Sequence, residues 1–225
     1  MQLVGQYDSP YTRRVAISLT LLRIDFEQLP LSLFSDFEAV KAINPLVRIP
    51  ALILENGEVL LDSAAILDYL DEQAGNSNAL IPTSGKQRRT ALQIIAIATG
   101  AIDKAMAINY ERNQRPEDKI HTPWIERLST QLASALTYLD NLPQSPWLMG
   151  KSLSQADITT ASMLGYIKLY SPDLLPTGQY KNLYKLSRAC EALPAFKACL
   201  PIPENLGGDL AVAVAAVQRL QNITK

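Results

Sequence analysis

The sequence predicts a small α/β domain followed by an all-α domain, and three observations support this fold class. Strand and helix patterns alternate over residues 1–75 in the order β-α-β-α-β-β-α. The next stretch, GNSNALIPTSG, has the composition of a linker. After it, only the helical period recurs. We therefore place an α/β domain at 1–75, a linker at 76–85 and an all-α domain at 86–225.

Local signals justify each element of the first domain. Ser9-Pro10 suits a helix start, with serine as N-cap and proline in the first turn. Asn56-Gly57 between two apolar runs is typical of a β-hairpin, and Asp62-Ser63 directly after it begins another helix. The predicted strands are 2–7, 26–33, 49–54 and 58–61, and the predicted helices are 11–22, 36–43 and one from 62 onward.

The second domain is predicted from helical periodicity and capping residues. Thr122-Pro123 reads as an N-cap followed by a first-turn proline. Ser154 and Asp157 form a capping box, with aspartate in place of glutamate. The predicted helices are 86–113, 123–142, 154–169 and 180–193, followed by a short turn from Leu193-Pro194 and an Ala/Val-rich helix at 210–220.

Composition excludes several classes of function. Apolar residues make up 48% of the 225, and the net charge of −1 provides no electrostatic basis for a nucleic-acid partner or an acidic membrane surface. We see no signal peptide and no stretch near the ~20 apolar residues of a membrane span. Cys190 and Cys199 suit a reducing compartment, and the lone His121 argues against a His-ligated metal. We expect a cytoplasmic protein without a metal.

The first domain, with Ser9-Pro10-Tyr11-Thr12 at its first helix, resembles the thioredoxin fold, although serine and threonine replace both cysteines of the C-P-Y-C element. Joined to an all-α domain, it resembles the glutathione S-transferase family. Four segments carry this resemblance: NPLVRIPALI (44–53), NGEVLLDSAAILDYLDE (56–72), ATGAIDKAMAINYERNQRPED (98–118) and GKSLSQADITTASML (150–164).

The resemblance implies a glutathione site on the first domain. A cis bond before Pro50 would turn the backbone of Ile49 toward the cysteinyl part of glutathione, as an added strand would. Asp62 and Ser63 would hold the γ-glutamyl amine and carboxylate at a helix start, which favours anions. Arg48 is the first candidate for binding the glycine carboxylate of glutathione, and Lys41 is the second.

Ser9 is the predicted catalytic residue, because a sulfur at this helix start would meet a hydroxyl donor and a positive helix end. A free thiol has a pKa of about 8.5, and such surroundings lower it by a unit or more. Each unit favours the thiolate by about 1.4 kcal/mol. Tyr7 is the rival, since some classes of the family use a tyrosine at the end of the first strand. Thr12 and backbone donors alone remain further alternatives.

Two more predictions concern the first helix and the second substrate. Arg13 and Arg14 stand at a helix start, against the preference of the helix dipole, and we expect them to be solvated, with an inter-subunit or ligand contact as the alternative. A pocket for an apolar electrophile is expected between the domains. Its candidate residues are Tyr11, Met106, Tyr110 and Tyr166.

The resemblance implies an enzyme that transfers glutathione, as thiolate, to a small apolar electrophile. Two alternatives remain open: glutathione-dependent reduction of a peroxide or disulfide, and a non-catalytic binding module of the same fold. Glutathione would be the cosubstrate in either enzyme. The resemblance also implies a homodimer, with no nucleic acid and no membrane as partner.

Overall fold

The computed structural model describes residues 1–202, which form two compact units. Among the described residues, the first unit comprises 1–83 and 191–202, and the second comprises 84–190. The Ala/Val-rich segment at 210–220 lies outside the described residues.

In its described residues, the first unit contains a four-stranded sheet and four helices. Its strands are β1 (Gln2–Val4), β2 (Glu27–Leu29), β3 (Ala51–Ile53) and β4 (Val59–Leu61). Its helices are α1 (Pro10–Leu22), α2 (Phe37–Ile43), α3 (Ser63–Ala74) and α8 (Pro194–Ala198). The strand order is β2-β1-β3-β4, with β1 parallel to β2, antiparallel to β3, and β3 antiparallel to β4. This is the predicted thioredoxin-like arrangement, and every predicted strand is shorter than expected.

The sheet and its helices share one apolar core. Leu3 of β1 stands opposite Leu52 of β3, and both are fully buried. Helices α1 and α3 pack on each other, with Ile17 and Ile66 also fully buried. The hairpin closes as predicted, with Gly57 at φ +86°, a conformation that glycine adopts without strain. The β-α-β-α-β-β-α order is therefore confirmed.

The first unit includes more of the chain than the sequence indicated. Asp71 of α3 accepts the N–H groups of Leu80 and Ile81 at 2.7 and 3.0 Å, which fixes the middle of the predicted linker to this unit. The chain after Glu191 also belongs here rather than to the helical unit. Phe196 of α8 is fully buried, so this return of the chain completes the first unit's core.

Arg13 binds that returning segment, which overturns the expectation of a solvated side chain. It is 1% exposed, and its guanidinium donates to both Glu191 carboxylate oxygens at 2.8 and 2.7 Å. Its Nε donates to the Cys199 carbonyl at 2.9 Å, and the guanidinium lies 5.6 Å from the centroid of the Phe196 ring. A fork of donors facing a carboxylate is the geometry that arginine favours when it is buried.

The second unit is helical, as predicted. It contains α4 (Gly85–Asn113), α5 (Thr122–Asp140), α6 (Gln155–Tyr170) and α7 (Lys181–Glu191, whose last residue belongs to the first unit), with 3₁₀ turns at Glu117–Lys119 and Pro172–Leu174. Helix α5 begins one residue early, so His121 rather than Thr122 is its N-cap. The capping box of α6 is confirmed: Asp157 accepts the Ser154 N–H and hydroxyl at 2.9 and 2.7 Å.

Helix α4 corrects the statement that no stretch approaches a membrane span. By length and composition alone, Gly85–Asn113 is apolar enough to cross a membrane. In the structure it packs against α5 and α6, and Ala98, Ala101 and Ile102 are fully buried. A core helix of a helical unit meets the same criterion.

Candidate functional site

Ser9 begins α1 as the sequence predicted. Its backbone is extended and its Oγ accepts the Thr12 N–H at 3.3 Å, while Pro10 occupies the first helical position. The residue is 8% exposed. Within residues 1–202 the Ser9 hydroxyl hydrogen has no acceptor. This side chain is thus an N-cap that keeps a donor available for an external anion.

Gly5 brings the start of α1 against the turn that carries Pro50. A Cβ added to Gly5 would lie 2.6 Å from Thr12 Oγ1 and 2.9 Å from Ile49 Cβ, so no side chain fits between them. The φ of +125° at Gly5 also demands glycine. The hydroxyl of Thr12 is buried and unpartnered among the described residues, beside this contact. The start of the first helix and the Ile49-Pro50 turn therefore lie directly against each other at Gly5.

The Ile49-Pro50 bond is cis, as predicted. Asn44 shapes the preceding turn: its amide donates to the Arg48 carbonyl at 2.8 Å, and its Oδ1 accepts the Leu46 N–H at 3.0 Å. In the part of the chain that the structure describes, the N–H and C=O of Ile49 have no backbone partner. These groups can pair with an extended peptide such as the cysteinyl unit of glutathione.

Val47 is strained within this turn, which leads to a first prediction. Its φ is +49°, although left-handed backbone costs an L-residue about 1–2 kcal/mol. We expect Val47→Gly to be more stable than Val47→Ala by about 1 kcal/mol, measured by urea unfolding. Leu46 is the matched control, since it is exposed and not at positive φ, so alanine should equal or exceed glycine there. Equal stability of the two Val47 variants would contradict the prediction.

Asp62 and Ser63 begin α3 with different exposures. Asp62 is exposed, and its Oδ1 accepts the Ala64 N–H at 2.7 Å. Its φ of +71° is uncommon outside glycine, and strain of this kind concentrates at functional sites. Ser63 is 3% exposed, and its hydroxyl hydrogen has no acceptor within residues 1–202. The helix start thus offers the Ser63 hydroxyl to an anion and the exposed Asp62 carboxylate to a cation.

Arg14 reaches Ser63 from α1, which corrects the second expectation of a solvated arginine. Only 2% of it is exposed, and its Nη2 and Nε lie 2.7 and 3.2 Å from Ser63 Oγ. Its guanidinium also lies 5.7 Å from the centroid of the Tyr11 ring. A buried cation therefore contacts the serine that the family resemblance assigned to the γ-glutamyl carboxylate.

Tyr7, the rival of Ser9, lies in different surroundings. Burial, together with a smaller electrostatic effect of the nearby Cys199, raises the pKa of its hydroxyl to about 12. Cys199 itself is 1% exposed, and its carbonyl accepts from Arg13. The Tyr7 phenol therefore lies near the returning chain segment and stays protonated at neutral pH. The choice between Ser9 and Tyr7 therefore stays a prediction.

A second prediction follows from the raised Tyr7 pKa. Folded protein retains the Tyr7 proton up to a pH of about 12, whereas an unfolded tyrosine loses it near pH ~10. The stabilising contribution is complete below pH ~10 and is lost as the pH rises toward 12. We expect Tyr7→Phe to lose less unfolding free energy than the wild type across this interval, measured by urea unfolding at several pH values. Parallel losses in the two proteins would contradict it.

Arg48 and Lys41 are the two candidates for the glycine carboxylate of glutathione. Arg48 is exposed, and only its carbonyl is fixed by Asn44. Lys41 pairs with Glu38 at 3.7 Å along α2. These two stay predictions as ligands of the glycine carboxylate.

The candidate pocket residues belong to both units. Tyr11 lies in the first unit, whereas Met106, Tyr110 and Tyr166 lie in the second. Tyr166 is 4% exposed and its ring lies 5.0 Å from that of Tyr170, whereas Tyr110 is 39% exposed. The electrophile pocket also stays a prediction.

Comparison with known proteins decides the family. The model of the glutathione S-transferase N-terminal domain matches residues 3–78, and that of the C-terminal domain matches residues 101–200. Glutathione S-transferase Z1 from Arabidopsis thaliana is 30% identical, over 89% of this chain and 91% of that protein. The chain belongs to the glutathione S-transferase family.

The chain is also similar to an isomerase and to a solved transferase. Maleylacetoacetate isomerase from Rattus norvegicus is 26% identical over 88% of this chain and 91% of its own. A solved glutathione S-transferase from Methylobacillus flagellatus, with glutathione bound, is 33% identical with a TM-score of 0.83, covering 89% of this chain and 99% of that one. The fold and the family are thus shown together.

Sequence reasoning missed Arg14 and Gly5 at this family site. A signal for Arg14 was present, because Val15-Ala16-Ile17-Ser18-Leu19 has no charged face and such a helix is buried on all sides. Arginines next to it must then find partners inside the protein. Gly5 has no comparable signal, since its neighbours Thr12 and Ile49 come together only in the folded chain.

Proposed function

We propose that the protein binds glutathione on its first unit and activates its thiol at Ser9. The main support is the hydrogen bonding of Ser9 and Ser63, each of which stands at a helix start. Both hydroxyls accept hydrogen bonds from the protein, and neither hydroxyl hydrogen has an acceptor among residues 1–202. Such hydroxyls can each donate to an anion, and helix starts favour negative charge. A thiolate at Ser9 and a carboxylate at Ser63 satisfy both, with Ile49 pairing to the peptide between them.

The proposed reaction is conjugation. Glutathione loses its thiol proton to solvent, and the Ser9 hydroxyl and the helix dipole lower the thiol pKa. The thiolate then attacks an electrophilic carbon of a small apolar compound, so that a C–S bond forms and the leaving group departs with its electron pair. Solved relatives with bound glutathione support the cosubstrate.

Two assays test this proposal. We expect the protein to be retained on immobilised glutathione and to be eluted by free glutathione. We also expect it to conjugate glutathione to a reactive aryl halide, which is measured as a change in absorbance. A protein that does not bind glutathione would contradict the proposal and favour the non-catalytic module. Binding without conjugation, but with reduction of a hydroperoxide, would favour the reductive alternative.

A second candidate is glutathione-dependent isomerisation, which the similarity to maleylacetoacetate isomerases supports. A thiolate at Ser9 would add to one carbon of a cis double bond conjugated to a carbonyl. Rotation about the resulting single bond and expulsion of the same thiolate would yield the trans isomer, with glutathione regenerated. Loss of maleylacetoacetate absorbance at catalytic glutathione concentrations tests this candidate. A stoichiometric requirement for glutathione would exclude it.

A further inference from the structure

Arg14 fills the acceptor positions of the Ser63 hydroxyl. Its guanidinium can only donate, so the contacts of 2.7 Å from Nη2 and 3.2 Å from Nε are both accepted by Ser63 Oγ. A hydroxyl oxygen has two lone pairs, and two donors occupy both of them. The hydroxyl hydrogen must then point away from Arg14, toward an acceptor that residues 1–202 do not provide.

The surroundings of Ser63 define what that acceptor is. Ser63 is the first residue of α3, where backbone N–H groups and the helix dipole favour an anion. The carboxylate of Asp62 already accepts the Ala64 N–H and carries its own negative charge, so it suits the ammonium of the γ-glutamyl group rather than its carboxylate. The buried Arg14 cation donates to the serine oxygen.

We propose that Arg14 is the positioning residue of the γ-glutamyl subsite: it orients the Ser63 hydroxyl to donate to the carboxylate of glutathione and adds a positive charge beside it. This inference rests on the proposed function, because it assumes that glutathione binds here. Arg14 acts through Ser63 and does not itself touch the ligand.

Arg13 supplies a matched control on the same helix. The two arginines are adjacent and similarly buried, at 1% and 2% exposure, but Arg13 donates to the carboxylate of Glu191, whereas Arg14 donates to the Ser63 hydroxyl. Replacing either one removes a buried guanidinium from α1. Only the loss of Arg14 should alter how a ligand carboxylate is recognised.

Calorimetry with two ligands tests the inference. Glutathione is compared with 4-aminobutanoyl-Cys-Gly, which lacks only the γ-glutamyl α-carboxylate. We define the carboxylate preference as the Kd of the second ligand divided by that of glutathione. For the wild type we expect a preference of about tenfold or more, the size of a hydrogen bond to a charged group.

Arg14→Met should reduce this preference to near unity, mainly by weakening glutathione, and Ser63→Ala should do the same. The double variant should be no worse than Ser63→Ala, because Arg14 acts through that hydroxyl. Arg13→Met should keep the wild-type preference. Arg14→Lys keeps the charge without the fork of donors and should lower the preference by a smaller factor, so it carries the test if the methionine variant does not fold.

Three results would overturn the inference. A full carboxylate preference in Arg14→Met or Arg14→Lys would show that the arginine does not orient Ser63. Equal weakening of both ligands in Arg14→Met would show a general structural effect. A wild type that binds both ligands equally tightly would refute the inference while leaving the proposed function intact. Absence of glutathione binding by the wild type would instead refute the proposed function itself.

Discussion

Ser9→Ala is expected to lower conjugation at least about tenfold while leaving the affinity for glutathione nearly unchanged. The alanine removes the hydroxyl that donates to the sulfur, so the pKa of the bound thiol rises and less thiolate is present at neutral pH. Most of the proposed binding contacts, at Ile49 and Ser63, lie elsewhere on the unit. The thiolate absorbance of bound glutathione near 240 nm, titrated between about pH 5 and 10, measures the pKa directly.

Ser9→Thr and Tyr7→Phe are the matched controls for this experiment. Threonine keeps the hydroxyl and the N-cap, so the thiol pKa should stay closer to that of the wild type. Tyr7→Phe removes the rival hydroxyl and should change turnover less than about twofold, well below the contribution of a true proton donor. Equal turnover in Ser9→Ala and the wild type would remove Ser9 from the mechanism, and a large loss in Tyr7→Phe would place Tyr7 there instead.

Arg13→Met is expected to cost about 3 kcal/mol of unfolding free energy, the largest stability effect we predict. The variant leaves the half-buried Glu191 carboxylate without its cation and the Cys199 carbonyl without its donor. It also removes the guanidinium from the Phe196 ring. Because Arg13 joins α1 to the returning chain segment, the loss should appear in urea unfolding followed by circular dichroism.

A double variant separates the ion pair from general packing. Arg13→Met with Glu191→Met leaves no unpaired charge, so it should recover part of the stability lost in Arg13→Met alone. Arg23→Met, at the exposed end of α1, should stay within about 0.5 kcal/mol of the wild type. A loss below about 1 kcal/mol in Arg13→Met would show that the buried pair contributes little.

The helix starts show how far local sequence can determine a site. Ser9-Pro10, Asp62-Ser63 and the Ser154 capping box were predictable because a cap is formed within four consecutive residues. The same holds for the Asn56-Gly57 hairpin, whose turn chemistry is local. The cis Ile49-Pro50 bond was expected only from the family resemblance, since a proline by itself does not specify its isomer.

The wrong predictions concern residues whose partners are distant in the sequence. Arg13 and Arg14 were expected in solvent from their place at a helix start, but their partners are 178 and 49 residues away along the chain. The return of the chain after Glu191 to the first unit was likewise invisible, because it depends on contacts such as that with Arg13. No local pattern can indicate a partner whose position depends on the complete fold.

By itself, the sequence determined the order of elements, the two kinds of domain and the serine caps, because propensity, periodicity and capping act over one or two turns of chain. Tertiary structure alone decided that Gly5 must lack a side chain, that Arg14 contacts Ser63, and that Arg13 holds the returning segment. These features depend on close packing and on the cost of burying an unpaired charge, and both arise only when distant segments meet.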